Sequence, residues 1–141
     1  MSAERNTQIV KDAYAAFLRG DVEGIVGLVT DDVEWEGVKG TEGVLPQSGV
    51  RRGKDGVRLF FAQVNDTIAF ERFELKQYIA SDAAVVALGY YAGKAKATGN
   101  SMGSDWVMVF EFRDGRIARF REFTDSAAVV RAFGRSSVAA S

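Results

Sequence analysis

Hydrophobic positions recur along this chain with two different periods, and the change falls near its middle. In the first segment Ile9, Val10, Ala13, Tyr14, Phe17 and Leu18 follow one another at steps of three and four, which puts them on one face of a helix. Gly20 stands where such a helix ends, because glycine takes the left-handed cap without steric cost. Asp21 is suited to cap a second helix with the apolar face Val22, Ile25, Val26 and Val29. Asp31-Asp32 then leads into a short strand over 33–37. Residues 37–53 hold Gly37, Gly40, Gly43, Gly49 and Gly53 and the only proline, Pro46. They read as a long irregular loop, and loops of that length in a compact domain are usually functional or mobile. Val57, Phe60, Phe61 and Val64 restore the helical spacing directly afterwards.

Beyond residue 70 the period becomes two. Segments 70–80, 83–97, 105–112 and 117–124 read as strands, separated by Ser81-Asp82, Thr98-Gly99-Asn100 and the hairpin signal Arg113-Asp114-Gly115. Asp125 is placed to cap a last short helix carrying Val129, Val130 and Phe133. Helices followed by a meander of long strands predict an α+β domain over 1–133. The small, polar residues 134–141 are expected to form a fraying tail.

Composition narrows the function. With 18 basic and 19 acidic side chains and a net charge of −1, the chain has no basic excess for nucleic acid. No stretch has the length of a membrane-spanning helix, and the N-terminal residues lack the pattern of a signal peptide, so a cytoplasmic protein without membrane or nucleic-acid partners is expected. The sequence contains no Cys and no His. Thiol chemistry is thereby excluded, and the commonest general base and metal ligand are missing. Acid–base work falls to Asp, Glu, Tyr or Lys. Asp31, Asp32, Glu34 and Glu36 form an acidic cluster, but Asp32 already suits a turn, so no metal is expected. Gly49 to Asp55 is one residue short of a phosphate-binding loop and has Asp where Ser or Thr is required. Arg51, Arg52, Lys54 and Arg58 read instead as a solvated helix start.

Several motifs in this order are familiar together. Tyr14-Ala15-Ala16-Phe17 before Gly20-Asp21, then Asp31 to Trp35, then Arg52 to Val57, then Phe112 to Ile117 with Phe120 to Phe123 and Asp125, resemble the SnoaL-like and ketosteroid isomerase-like proteins of the NTF2-like superfamily. The resemblance covers 6–133. It implies a cone in which N-terminal helices pack on a curved antiparallel sheet and enclose an apolar pocket. It also implies a homodimer without a cofactor, its copies meeting on the outer sheet face with Tyr90, Val107, Val109 and Phe123. For function it implies a small hydrophobic ligand, and an isomerase or polyketide-cyclase-like enzyme working by carboxylate acid–base catalysis. An epoxide hydrolase is the weaker enzyme reading, and a non-catalytic binding or partner domain is the alternative. The isomerase's own constellation is not matched: its tyrosine and base positions fall on Ala13 and Gly37, although Asp105 lies near its second donor. Of the hydrolases' positions, those reading Gly89, Tyr91, Trp35 and Gly37 depart, and Glu122 alone keeps an acid.

Trp35, Tyr91, Trp106, Met108 and Phe120 share one strand face by the period of two, and the pocket is expected to be lined by them with Phe60, Val44 and Leu45. The loop over 37–53 is expected to gate it. Glu122 shares the face of Phe120 and is the expected catalytic residue. Two states are open to it: buried among aromatic rings with a raised pKa, or paired to Arg121 or another arginine with a lowered one.

Overall fold

The computed structural model describes residues 2–134; the expected tail beyond Gly134 lies outside the described residues. Each of three helices begins on a side chain that accepts from the free backbone N–H groups of its first turn. Ser2 takes the N–H of Arg5 at 3.0 Å to start α1 (Ala3–Leu18). Asp21 takes Gly24 N–H at 2.9 Å to start α2 (Val22–Val26), and Asp125 takes Ala128 N–H at 3.2 Å to start α4 (Ser126–Phe133). Between α2 and α4 the chain forms β1 (Val29–Glu36), β2 (Val50–Arg52), α3 (Gly53–Thr67), β3 (Ile68–Ala80), β4 (Ala84–Ala95), β5 (Ser101–Arg113) and β6 (Arg116–Thr124).

The strands form one curved, open sheet in the order β2-β1-β6-β5-β4-β3. The helices cover its inner face, as the α+β cone requires. Two of the differences from the sequence expectation bear on the site. β1 starts four residues earlier than expected and runs parallel to β6, with Trp35 beside Phe120 and Glu36 beside Arg121. The long excursion through β2 and α3 to the far edge makes this possible, because β1 never has to hairpin with its neighbour. The glycine-rich loop is also shorter than expected: residues 50–52 pair with β1 as β2, leaving 37–49 as loop.

β3 breaks its own period twice. Its register against β4 shifts between Phe70 and Arg72 and again between Leu75 and Gln77. Each bulge adds a residue and resets which side chains face inward. Phe70, Phe73, Leu75 and Tyr78 all pack against the core in consequence, although a strict alternation would send some of them outward. The core itself joins Val10 and Tyr14 of α1, Ile25 and Val26 of α2 and Val57 and Phe60 of α3 to the inward residues of β1, β4, β5 and β6. Among the described residues no helix is long and apolar enough to cross a membrane.

Candidate functional site

The inner face of the sheet is built by register. Val85, Phe110 and Phe120 lie side by side across β4, β5 and β6, and the next inward row is Ala87, Met108 and Glu122. Trp35 of β1 stacks on Phe120 with ring centres 4.1 Å apart and planes 16° from parallel. Phe60 and Phe61 of α3 close against Trp35 from above. A cavity of about 70 Å³ remains between the sheet, α1, α3 and the loop. Trp35, Leu45, Phe60, Tyr91, Met108, Phe120 and Glu122 all line it.

Among the described residues Glu122 is the one carboxylate that lines the cavity. It is only 7% exposed, and Tyr91 Oη donates a hydrogen bond to its Oε2 at 2.9 Å. Among the described residues no cation faces it. Arg121, its neighbour along the strand, points to the opposite face and binds Glu111 at 3.0 Å. Burial disfavours the charged carboxylate and pushes its pKa up to about 7, while the Tyr91 hydrogen bond works in the opposite direction. Burial also raises Tyr91 and Tyr14 well above the ordinary phenol value, and the charge of Glu122 adds to both. Both phenols therefore stay protonated and act as donors.

Two expected pocket residues lie elsewhere. Val44 is 40% exposed on the outside of the loop, because the backbone turn that buries Leu45 and Gln47 leaves it facing solvent. Trp106 is fully buried but belongs to the core behind the wall. Its ring lies over Gly89, where a Cβ would overlap it, and packs on Tyr14 and Phe73. Lining residues that the sequence reading missed are chiefly Tyr14, Gln47, Phe70, Phe73 and Met102. Tyr14 was legible, since it sits on the apolar face of α1; its hydroxyl meets Met108 Sδ at 2.9 Å. Phe70 and Phe73 were hidden by the bulge, and Gln47 lies in a loop without any period.

The loop is tied down rather than loose. Arg51 is half-buried and not solvated as expected. It donates to the carbonyls of Pro46 and Ser48 and, at 3.0 Å, to Gln63 Oε1 on α3. The acidic cluster disperses into ion pairs: Asp31 with Lys54 at 3.6 Å, Asp32 with Arg113, Glu34 with Arg52 at 2.7 Å and Glu36 with Lys39 at 3.4 Å. Among the described residues no three acidic side chains converge as a metal site would need.

A model of the SnoaL-like domain matches residues 10–120. The chain belongs to the SnoaL-like family. Solved structures agree on the fold of this SnoaL-like chain. An NTF2-like protein from Burkholderia xenovorans is 29% identical over 95% of this chain and 99% of its own, with a TM-score of 0.85. An NTF2-like protein of unknown function from Burkholderia pseudomallei is 30% identical over 93% and 98%, also at 0.85. TerC, co-crystallised with polyporic acid, is 26% identical over 92% and 98%, at 0.80. No curated protein matches the chain in sequence.

Proposed function

We propose that this SnoaL-like domain binds a small, mostly apolar molecule in the cavity and moves a proton on it with Glu122, as a cofactor-independent isomerase or polyketide-cyclase-like enzyme. The observation that carries this reading is a lone buried carboxylate, held by Tyr91 and walled by aromatic rings, whose pKa of about 7 matches the working pH of a general base. A carbon acid next to a carbonyl would give its proton to Glu122, leaving an enolate on the ligand and a protonated carboxyl. The same proton returns to another carbon in an isomerisation; in a cyclisation the enolate carbon attacks a second carbonyl, and the alkoxide so formed takes the proton back from Glu122. The phenol of Tyr91 steadies the carboxylate before transfer. The co-crystallisation of TerC with polyporic acid supports an organic ligand for this fold.

The cavity of about 70 Å³ is well below the roughly 300–1,000 Å³ of most ligand sites. A ligand of more than a few heavy atoms therefore needs the loop 37–49, which supplies Leu45 and Gln47 to the wall, to swing out and close again. A non-catalytic binding domain is the second reading, favoured by the absence of the isomerase constellation: Ala13 and Gly37 supply neither a donor phenol nor a base.

In either case a second copy is proposed to cover the outer sheet face. Val107, Val109 and Tyr90 are half-buried there and Phe123 is 36% exposed, and Glu111, Arg119 and Arg121 border them with charge. This self-complementary mixture suits a twofold dimer.

The test of the catalytic reading uses 2-tetralone, a flat ketone with acidic C–H bonds, as the probe. In D2O near pH 7 the wild type should accelerate deuterium uptake at its α-carbons, followed by NMR, and Glu122→Gln should abolish the acceleration. Binding of the ketone without faster exchange would leave the binding-domain reading.

A further inference from the structure

Among the polar groups on the cavity wall that the mechanism above does not use, one comes from the loop. Gln47 is 2% exposed and lines the cavity, yet it belongs to the loop 37–49 and not to a helix or strand. Its place is prepared by Gly37. One residue after the β1–β6 pair Glu36–Arg121, the chain reaches Gly37 beside the end of β6 that carries Glu122. A Cβ at Gly37 would overlap the Gln47 carbonyl oxygen and crowd Phe60, so the glycine lets the loop backbone sink in at this end of the cavity.

The side-chain amide of Gln47 is held in one orientation. Its Nε2 donates to Thr67 Oγ1 at 2.8 Å. The Thr67 hydroxyl has a single proton, and it is directed to the helix carbonyls of Gln63 at 2.7 Å and Val64 at 3.3 Å. Thr67 therefore only accepts from Gln47, and a turned amide would set two acceptors against each other. Oε1 is left fixed, buried and without a hydrogen-bond partner. It is not alone in this. Trp35 Nε1, on the strand leading into the loop and also on the cavity wall, is a buried donor without a partner, and Arg51 Nε, just after the loop, is another. Three of the seven such atoms among the described residues thus border the loop 37–49. Buried polar groups are rarely left unpaired unless something else completes them. A hydroxyl offers both complements, one proton to give and lone pairs to receive.

We infer that Gln47 is a specificity-determining residue of this cavity: its Oε1 accepts a hydrogen bond from a hydroxyl on a flat, otherwise apolar ligand when the loop closes. The inference rests on the ligand-binding reading above and deepens it by naming the polar group that the ligand carries.

The test compares p-cresol with p-xylene, which share a shape and differ by hydroxyl against methyl. Both are titrated into the full chain and followed by the NMR shift of the Trp35 indole N–H, in wild type, Gln47→Met and Glu122→Gln. In Gln47→Met the preference for p-cresol over p-xylene should fall about tenfold, the usual weight of one buried hydrogen bond. The p-xylene affinity should stay within about twofold, which reports an intact cavity. Should Gln47→Met lose p-xylene binding altogether, Thr67→Val takes its place, since it frees the amide without touching the ring walls, and a fall in the same ratio is expected. An unchanged ratio in the informative variant overturns the assignment. So does a ratio that collapses only in Glu122→Gln, which would mean that the carboxylate reads the hydroxyl while the pocket reading survives. Failure of the wild type to bind either probe up to its solubility limit would overturn the pocket reading and this one together.

Discussion

Arg121 and Glu122 are neighbours on one strand and meet opposite fates. Arg121 turns to the outer face of the sheet, where it binds Glu111 in partial contact with solvent. Glu122 turns inward, where it has a phenol for a partner and aromatic rings for solvent. The alternation of a strand separates them by one residue, yet it changes the medium around each charge far more than the distance suggests. The outer face manages charge by pairing it, at little net gain. The inner face keeps a single charge unpaired and shifts its titration toward neutrality. A polar residue is informative about function on the second face and nearly silent on the first.

The contrast should first show in packing. Trp35→Ala removes the ring stacked on Phe120 and is expected to destabilise the fold by about 3–5 kcal/mol in urea melts. Phe123→Ala on the outer face should cost about 1 kcal/mol or less when measured on the monomer.

Next comes pH. The folded carboxyl of Glu122 holds its proton more tightly than the unfolded one, with a pKa of about 7 against 4.5. Stability from this group is therefore greatest below about pH 4.5 and falls as the pH rises through 4.5 to 7. The full loss is roughly 3 kcal/mol, at about 1.4 kcal/mol per pKa unit. Glu122→Gln should flatten that slope and be the more stable protein at pH 8, whereas Glu111→Gln should shift stability by no more than about 1 kcal/mol at any pH. Urea midpoints at pH 5 and pH 8 check both.

A smaller effect concerns the loop. Gly37→Ala should push the Gln47 backbone outward, so that amides of 37–49 exchange faster with solvent while those of β5 keep their protection. Equal exchange in the two proteins would mean that Gly37 does not seat the loop. The smallest effect on the fold is expected from Phe123→Glu, which should leave the monomer's stability within about 0.5 kcal/mol. It should nevertheless convert a dimer to a monomer in sedimentation at tens of micromolar. A wild type that is already monomeric there would remove the outer-face dimer.

The sequence made the helices and the long strands legible because their apolar spacing is regular, as in Val57-Phe60-Phe61-Val64 and Trp106-Met108-Phe110. Helix caps at Asp21 and Asp125 were equally plain, since a side-chain acceptor at that position has one use. What stayed hidden depended on contacts between distant segments. Nothing local says that β1 runs parallel to β6, or that a bulge between Phe70 and Arg72 turns Phe70 and Phe73 onto the same wall. Trp106 has the right strand face for the pocket, but Gly89 gives its ring a place behind the wall. Val44 and Leu45 differ by one residue in a loop that has no period, so only the folded backbone separates the exposed one from the buried one. Arg51 was read as solvated because its partners are carbonyls and a glutamine, which no charge pattern marks.

Among the described residues Glu122 is the one group of the apolar cavity poised to titrate near neutrality. The direct measurement is an NMR titration of the Glu122 carboxyl carbon, assigned by comparison with Glu122→Gln. A midpoint near 7 is expected, with the Tyr91 ring signals moving at the same pH. A midpoint at or below 4.5 would show a carboxylate that is solvated or paired, and would contradict the account.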